Sequence, residues 1–178
     1  MFILKAQQSY RYVNLQMSRR EYDVKNNFNP LILIQHKFQA CIDCYSKKVK
    51  LLGKSGSGQL AKMVNQICIG GLLQALAEGI NFSEKAGLNT EDVMEVITKG
   101  AAQSWYMENR WSTMLNNEYD HGFAVDWMKK DLDIVEDQAK RIGANIQVTQ
   151  LVNNFYKEIQ ELDGGRWDAS SLLKRIKD

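Results

Sequence analysis

LLGKSGSGQLAKMVNQ, residues 51 to 66, runs from an apolar pair through a glycine-rich turn into an apolar stretch that carries a lysine and an asparagine. The turn either holds a phosphate or only opens a helix, and the fold class depends on which. Gly53-Lys54-Ser55 has the ending of a phosphate-binding P-loop, but that motif needs a glycine five residues before its Gly-Lys-Ser, and Lys48 stands there. Gly56-Ser57-Gly58-Gln59-Leu60-Ala61 fits G-x-G-x-x-G/A, follows a candidate strand, opens a helix and has Glu78 about twenty residues on. A dinucleotide fingerprint, however, belongs to a βαβ unit with its acid at the end of a second strand. Glu78 lies inside a helical stretch and another helical stretch follows. The turn is therefore read as the entry to a helix closely packed on its neighbours.

Downstream of that turn the chain reads as helices with short polar breaks. Ser57 is placed to cap a helix that runs to Ala86, where Gly87 is the stop signal. Its stretch MVNQICIGGLLQALAEGI is apolar on nearly every side, which predicts a helix buried along much of its length. At about 1.5 Å per residue it spans roughly 45 Å, so one end should protrude toward something else. A second helix starts at Asn89 or Thr90, with Glu91 and Asp92 in its first turn, and ends by Gly100. A third begins near Ser104. A fourth runs from about Ala124 to Arg141, where Lys140, Arg141 and Gly143 form a C-terminal signature, and a fifth covers Gln147 to Leu162. Asp168 is placed to cap a short sixth, ASSLLKRI. The expectation is an all-α, six-helix bundle over residues 53–178 with one long buried helix.

Residues 1–52 differ in character. Residues 1 to 53 hold nine Lys/Arg against three Asp/Glu, whereas 54 to 178 hold fourteen against eighteen. LILIQ at 31 to 35 and VKLL at 49 to 52 are candidate strands, and two strands cannot build a stable sheet alone. The segment is read as a short, partly irregular α/β remnant. Its basic residues lack the dense clustering of a nucleic-acid-binding arm, so no nucleic-acid partner is expected. No run of eighteen apolar residues and no signal peptide is seen, and three cysteines fit a reducing compartment, so a cytoplasmic protein without a membrane partner is expected.

The chemistry-bearing residues are few. Lys62, Asn65 and Gln66, at i, i+3 and i+4, share one polar helical face. The spacing alone favours a solvated stripe, and the alternative is a lysine held in a cleft as general acid/base with the amide orienting a substrate. Asp126, Lys129, Lys130, Asp131 and Asp133 have the spacing of a solvent-exposed ion-pair face. Cys41 and Cys44 with His36 lack the second pair of a zinc site, and no metal is expected. Trp105, Tyr106, Trp111, Phe123 and Trp127 read as helix-bundle core or interface.

GKSGSGQLAKMVNQ, AEGINFSEKAGL, GAAQSWYMENR, GFAVDWMKKDLDI and RWDASSL appear in one order, without an obvious gap, and together resemble the C-terminal domain of the β-hydroxyacid dehydrogenases, the family of 3-hydroxyisobutyrate dehydrogenase and tartronate semialdehyde reductase. The resemblance implies that the glycine turn ends a nucleotide-binding domain and starts the long interdomain helix. It implies Lys62 as the catalytic lysine, Asn65 as the substrate-contacting asparagine, Phe123 as a pocket aromatic and Lys130 as the lysine beside the nicotinamide. It further implies hydride exchange between NAD or NADP and a small 3-hydroxy acid or its semialdehyde, with Lys62 as general acid in reduction and general base in oxidation. Trp111, after the Asn-Arg pair, is a bulkier residue than the resemblance leads one to expect.

Nothing in residues 1 to 50 resembles the first strand and true glycine fingerprint of such an enzyme. Residues 1–52 are thus expected to be an incomplete nucleotide-binding domain, and the chain by itself is expected neither to hold a dinucleotide tightly nor to turn over. An exposed helix face in place of the missing domain predicts self-association. The rival expectation is a non-enzymatic helical dimerisation module derived from the family.

Overall fold

The computed structural model describes residues 48, 50 and 52 to 177. Six helices follow one another: α1 (Ser57–Lys85), α2 (Thr90–Ile97), α3 (Trp105–Leu115), α4 (Val125–Ile142), α5 (Gln147–Glu161) and α6 (Leu172–Lys177). Two single 3-10 turns, Gly164–Arg166 and Ala169–Ser171, lie between α5 and α6. Among the described residues there is no strand, only an isolated antiparallel bridge between Ala124 and Asp168. The candidate strand at 31 to 35, the Cys41/Cys44 pair and His36 lie outside the described residues, as does most of the segment read as an α/β remnant. Contacts divide the chain into two compact units, Met1–Val64 and Asn65–Asp178, and the division falls inside α1.

The helix ends follow the capping chemistry read from the sequence. Asn89 Oδ1 accepts from the backbone N–H of Glu91 and Asp92, and Ser104 Oγ accepts from Met107 N at 3.1 Å. Gly143, at φ 71°, ends α4 and lets Ala144 N reach back to Ala139 O at 3.0 Å, with Lys140 and Arg141 in the last turn. Asp168 caps the turn before α6 by accepting from Ser170 N at 3.1 Å. Ser57 is the first residue of α1 rather than its cap.

The core of the second unit follows from helical periodicity. On α4 the buried residues are Val125, Met128, Leu132, Val135 and Ala139, at alternating steps of three and four; on α5 they are Thr149, Val152, Asn153, Tyr156 and Ile159. These two stripes face each other and enclose Leu73, Ala77 and Ile80 of α1 together with Leu172 and Leu173 of α6. Gly70 lets α1 come close: a Cβ there would touch Val152 Cγ1 at 3.6 Å and Leu132 Cδ1 at 3.8 Å.

The expectation that α1 is buried along much of its length needs correction. It is apolar and long enough to cross a membrane by length and composition, yet only a third of its most apolar stretch is buried. One face packs, through Gly70, Leu73, Ala77 and Ile80, while Val64, Leu72 and Phe82 are 60%, 42% and 72% exposed. The neighbouring helices cover one side only, and an all-round apolar composition does not say which side that is.

Candidate active site

The second unit holds Asn65, Phe123 and Lys130; Lys62 belongs to the first. Lys62 and Asn65 are one turn apart on α1, a spacing that sets both on the same helical face. Lys62 is exposed and Asn65 half-buried, and both take part in polar interactions.

Asn65 is tied to α4 through its neighbour. Asn65 Nδ2 donates to Gln66 Oε1 at 3.0 Å, and Gln66 Nε2 donates to Asp131 Oδ2 at 2.8 Å. Gln66 is buried, with Met128 Sδ 3.7 Å from the same amide nitrogen. The ion-pair face read along α4 is thus only half an ion-pair face. Lys129 pairs with Asp133, but Asp126 accepts from Gln160 Nε2 at 2.7 Å and Asp131 faces α1. Burial alone would raise the Asp133 carboxyl, and hydrogen bonds from Lys129 and Asn153 outweigh it, so its pKa falls below the ordinary aspartate value. Lys130, between Lys129 and Asp131, is exposed.

Phe123 sits in the loop before α4, half-buried, its ring 5.7 Å from that of Trp127. Its backbone is held by a distant part of the chain. Phe123 N donates to Asp168 Oδ2 at 2.8 Å, Ala169 N donates to Phe123 O at 2.8 Å, and Val125 N donates to Trp167 O at 2.8 Å. Asp168, with its side chain 1% exposed, also accepts from Arg110 Nε at 3.2 Å and from Ser170 Oγ at 2.6 Å. Gly122, at φ 71°, is required here, because a Cβ would collide with Asp168 Oδ2. Burial, then the Asp168 charge, raises the Tyr106 phenol despite the opposing Arg110; burial, Asp168 and Tyr106 raise Tyr156 well above the ordinary tyrosine value. Both phenols therefore stay neutral beside the Arg110–Asp168 pair. Trp111 is half-buried and packs on the core.

Sequence reasoning found Asp168 only as a cap and missed it as the anchor of the Phe123 loop. Its partner Arg110 lies 58 residues away, a separation that no local pattern reveals. The Gln66–Asp131 link was missed for the same reason. Among the described residues no three His, Cys, Asp or Glu side chains form a metal-binding group.

Residues 56–176 match the family described as NAD-binding of NADP-dependent 3-hydroxyisobutyrate dehydrogenase. An uncharacterized oxidoreductase of Shewanella frigidimarina is 57% identical over 135 residues, covering 76% of this chain and 46% of that protein. The 2-hydroxy-3-oxopropionate reductase of Escherichia coli is 27% identical over 130 residues, covering 73% of this chain and 44% of the enzyme. The crystal structure of a 3-hydroxyisobutyrate dehydrogenase from Salmonella typhimurium superposes with a TM-score of 0.73 at 26% identity, covering 79% of this chain and 50% of that one. The chain spans less than half the length of the curated relatives it matches.

Proposed function

The chain belongs to the 3-hydroxyisobutyrate dehydrogenase family, whose C-terminal helical domain it contains, and we propose that it is the acid/base half of an NAD(P)-dependent oxidoreductase acting on a small 3-hydroxy acid or its semialdehyde. What carries the reading is the continuous match over residues 56–176 together with Lys62 and Asn65 one turn apart on α1. The relatives named for reactions of small hydroxy acids support the substrate class.

A nicotinamide cofactor, when bound, supplies or takes up the hydride. The residues present fit one side of it: Lys130 offers an exposed ammonium beside an acidic, half-buried Asp131, suited to the polar parts of a dinucleotide. In reduction the Lys62 ammonium gives its proton to the oxygen of the carbonyl that accepts the hydride; in oxidation the neutral amine takes the proton back from the hydroxyl. Asn65 orients that oxygen by hydrogen bonding. Phe123, fixed through Asp168, forms an apolar wall against which the carbon chain of the substrate packs.

The uncovered apolar side of α1 supports self-association as a homo-oligomer. It also keeps open a second reading, a non-enzymatic dimerisation module on the same scaffold. The cytoplasm is the proposed compartment, on the free thiol of Cys68 and the odd cysteine count.

The test starts from native protein captured with an antibody to residues 54 to 178. An intact mass well above 20.4 kDa, with NAD(P)H turnover on a panel of small 3-hydroxy acids and semialdehydes, is the expected result. A mass equal to this chain, without turnover, would favour the dimerisation module. Light scattering reads the oligomer in the same sample, and a monomer at micromolar concentration refutes self-association.

A further inference from the structure

Arg166 carries a charge that the fold positions and leaves unneutralised. Its guanidinium carbon lies 5.3 Å from the centre of the exposed Trp127 ring, a cation–π contact at the start of α4. The backbone fixes that placement. Trp167 N reaches back to Gly164 O at 3.0 Å, and Val125 N donates to Trp167 O at 2.8 Å, so the turn that carries Arg166 is tied to the first residue of α4. Both glycines of the turn are needed for the approach. A Cβ on Gly164 would strike Ile159 and the Trp167 ring, and one on Gly165 would strike the Asp126 carboxylate. Asp126, so near in space, is the obvious ionic partner, yet it accepts from Gln160 Nε2 at 2.7 Å instead. Among the described residues Arg166 makes no hydrogen bond and no ion pair. The ring holds the side chain without consuming its charge, which leaves the fork of N–H donors that suits a carboxylate.

The Trp127 ring is in turn 5.7 Å from that of Phe123, which links this charge to the candidate site. We propose that Arg166 is a specificity-determining residue that binds a second carboxylate at the far end of the substrate, narrowing the substrate class to small dicarboxylic 3-hydroxy acids and their semialdehydes. The inference rests on the reading of Phe123 as the surface on which the carbon chain of the substrate packs. A chain that runs from Phe123 across Trp127 brings its distal end to Arg166. A carboxylate there gains a charge-assisted pair that a methyl group does not. The proton and hydride exchanged at the other end of the substrate are untouched by this contact.

Glutarate and pentanoate serve as probes, because they share a chain length and differ only in a terminal carboxylate against a methyl group. In calorimetric titrations of the native protein, glutarate should bind about fivefold to tenfold more tightly than pentanoate, the gain of one charge-assisted contact at a partly exposed site. Arg166→Gln should abolish that preference while leaving the affinities for pentanoate and NAD(P)H within about twofold. Arg166→Lys keeps the charge but loses the planar fork, and should restore only part of the preference. The absence of a preference in the unsubstituted protein, or equal losses for both probes in Arg166→Gln, would overturn the proposal. A loss confined to NAD(P)H would assign the guanidinium to a phosphate of the dinucleotide and overturn it as well. An Arg166-dependent preference for glutarate in a protein without turnover would uphold the carboxylate site and refute the dehydrogenase reading instead.

Discussion

Replacing Asp168 with alanine should unfold the second unit more readily than any single apolar truncation on its surface. The carboxylate accepts from Arg110 Nε at 3.2 Å, Phe123 N at 2.8 Å, Ser170 N at 3.1 Å and Ser170 Oγ at 2.6 Å. Four hydrogen bonds to a charged acceptor, at about 1.5–3 kcal/mol each, would sum to more than the stability of most domains. That sum overcounts, because the Arg110 side chain is 15% exposed and regains water when its partner goes. The two backbone donors do not all regain it. The cost of breaking one buried ion pair, about 3–5 kcal/mol, is therefore the better figure. All four tryptophans lie between residues 105 and 167, so their fluorescence reports on this unit during urea unfolding. With a denaturant slope of about 2 kcal/mol per molar, the midpoint should drop by about 2 M. Asp168→Asn should lose less, because its carbonyl oxygen can still accept from one backbone donor. A drop below about 0.5 M for the alanine variant, or equal drops for both, would refute Asp168 as the anchor.

Lys62→Ala should lower kcat in the native protein by about 10²–10⁴-fold, the range for a removed general acid/base, without weakening cofactor binding, measured by NAD(P)H turnover and dinucleotide titration. Gly122→Ala should destabilise by about 3 kcal/mol, from a left-handed backbone position plus a collision that Asp168 cannot relieve, read as a midpoint shift in urea. The alkaline limb of stability should be governed by the buried phenols. Burial and Asp168 raise the Tyr156 pKa, so from about pH 10 upward the unfolded chain releases a proton that the folded chain keeps, and stability falls as pH rises. Tyr156→Phe should flatten that fall while costing about 1 kcal/mol at neutral pH for the lost bond to Ala169 O at 3.0 Å; an unchanged alkaline slope would refute the assignment.

Six helices and most of their ends were legible because capping chemistry is local. Asn89, Ser104, Gly143 and Asp168 each act within four residues, the same range over which sequence patterns carry information. The glycine turn was legible for a related reason: the acid needed at a second strand end sits inside α1 as Glu78. The interactions that hold the candidate site were not legible, because their partners are far apart in the chain. Phe123 depends on Asp168, Asp168 on Arg110, and Gln66 on Asp131, 65 residues away. Charge spacing along α4 gave the Lys129–Asp133 pair, which forms, but not that Asp126 accepts from Gln160 on α5 or that Asp131 accepts from Gln66 on α1.

These long-range ties share a consequence for the site. The Phe123 loop has no helix of its own, and three of the hydrogen bonds that hold it reach residues 167 to 169. A segment just before the last helix thereby sets the position of the Phe123 ring at the start of α4. Loosening at Asp168 should therefore reach substrate affinity before it reaches the acid/base step, because Lys62 and Asn65 sit on a separate helix with its own backbone bonds. A partly destabilising variant such as Asp168→Asn, assayed below its unfolding transition, should raise KM several-fold with kcat held within about twofold. A matching fall in kcat would refute the separation of the proposed packing role of Phe123 from the proposed acid/base role of Lys62.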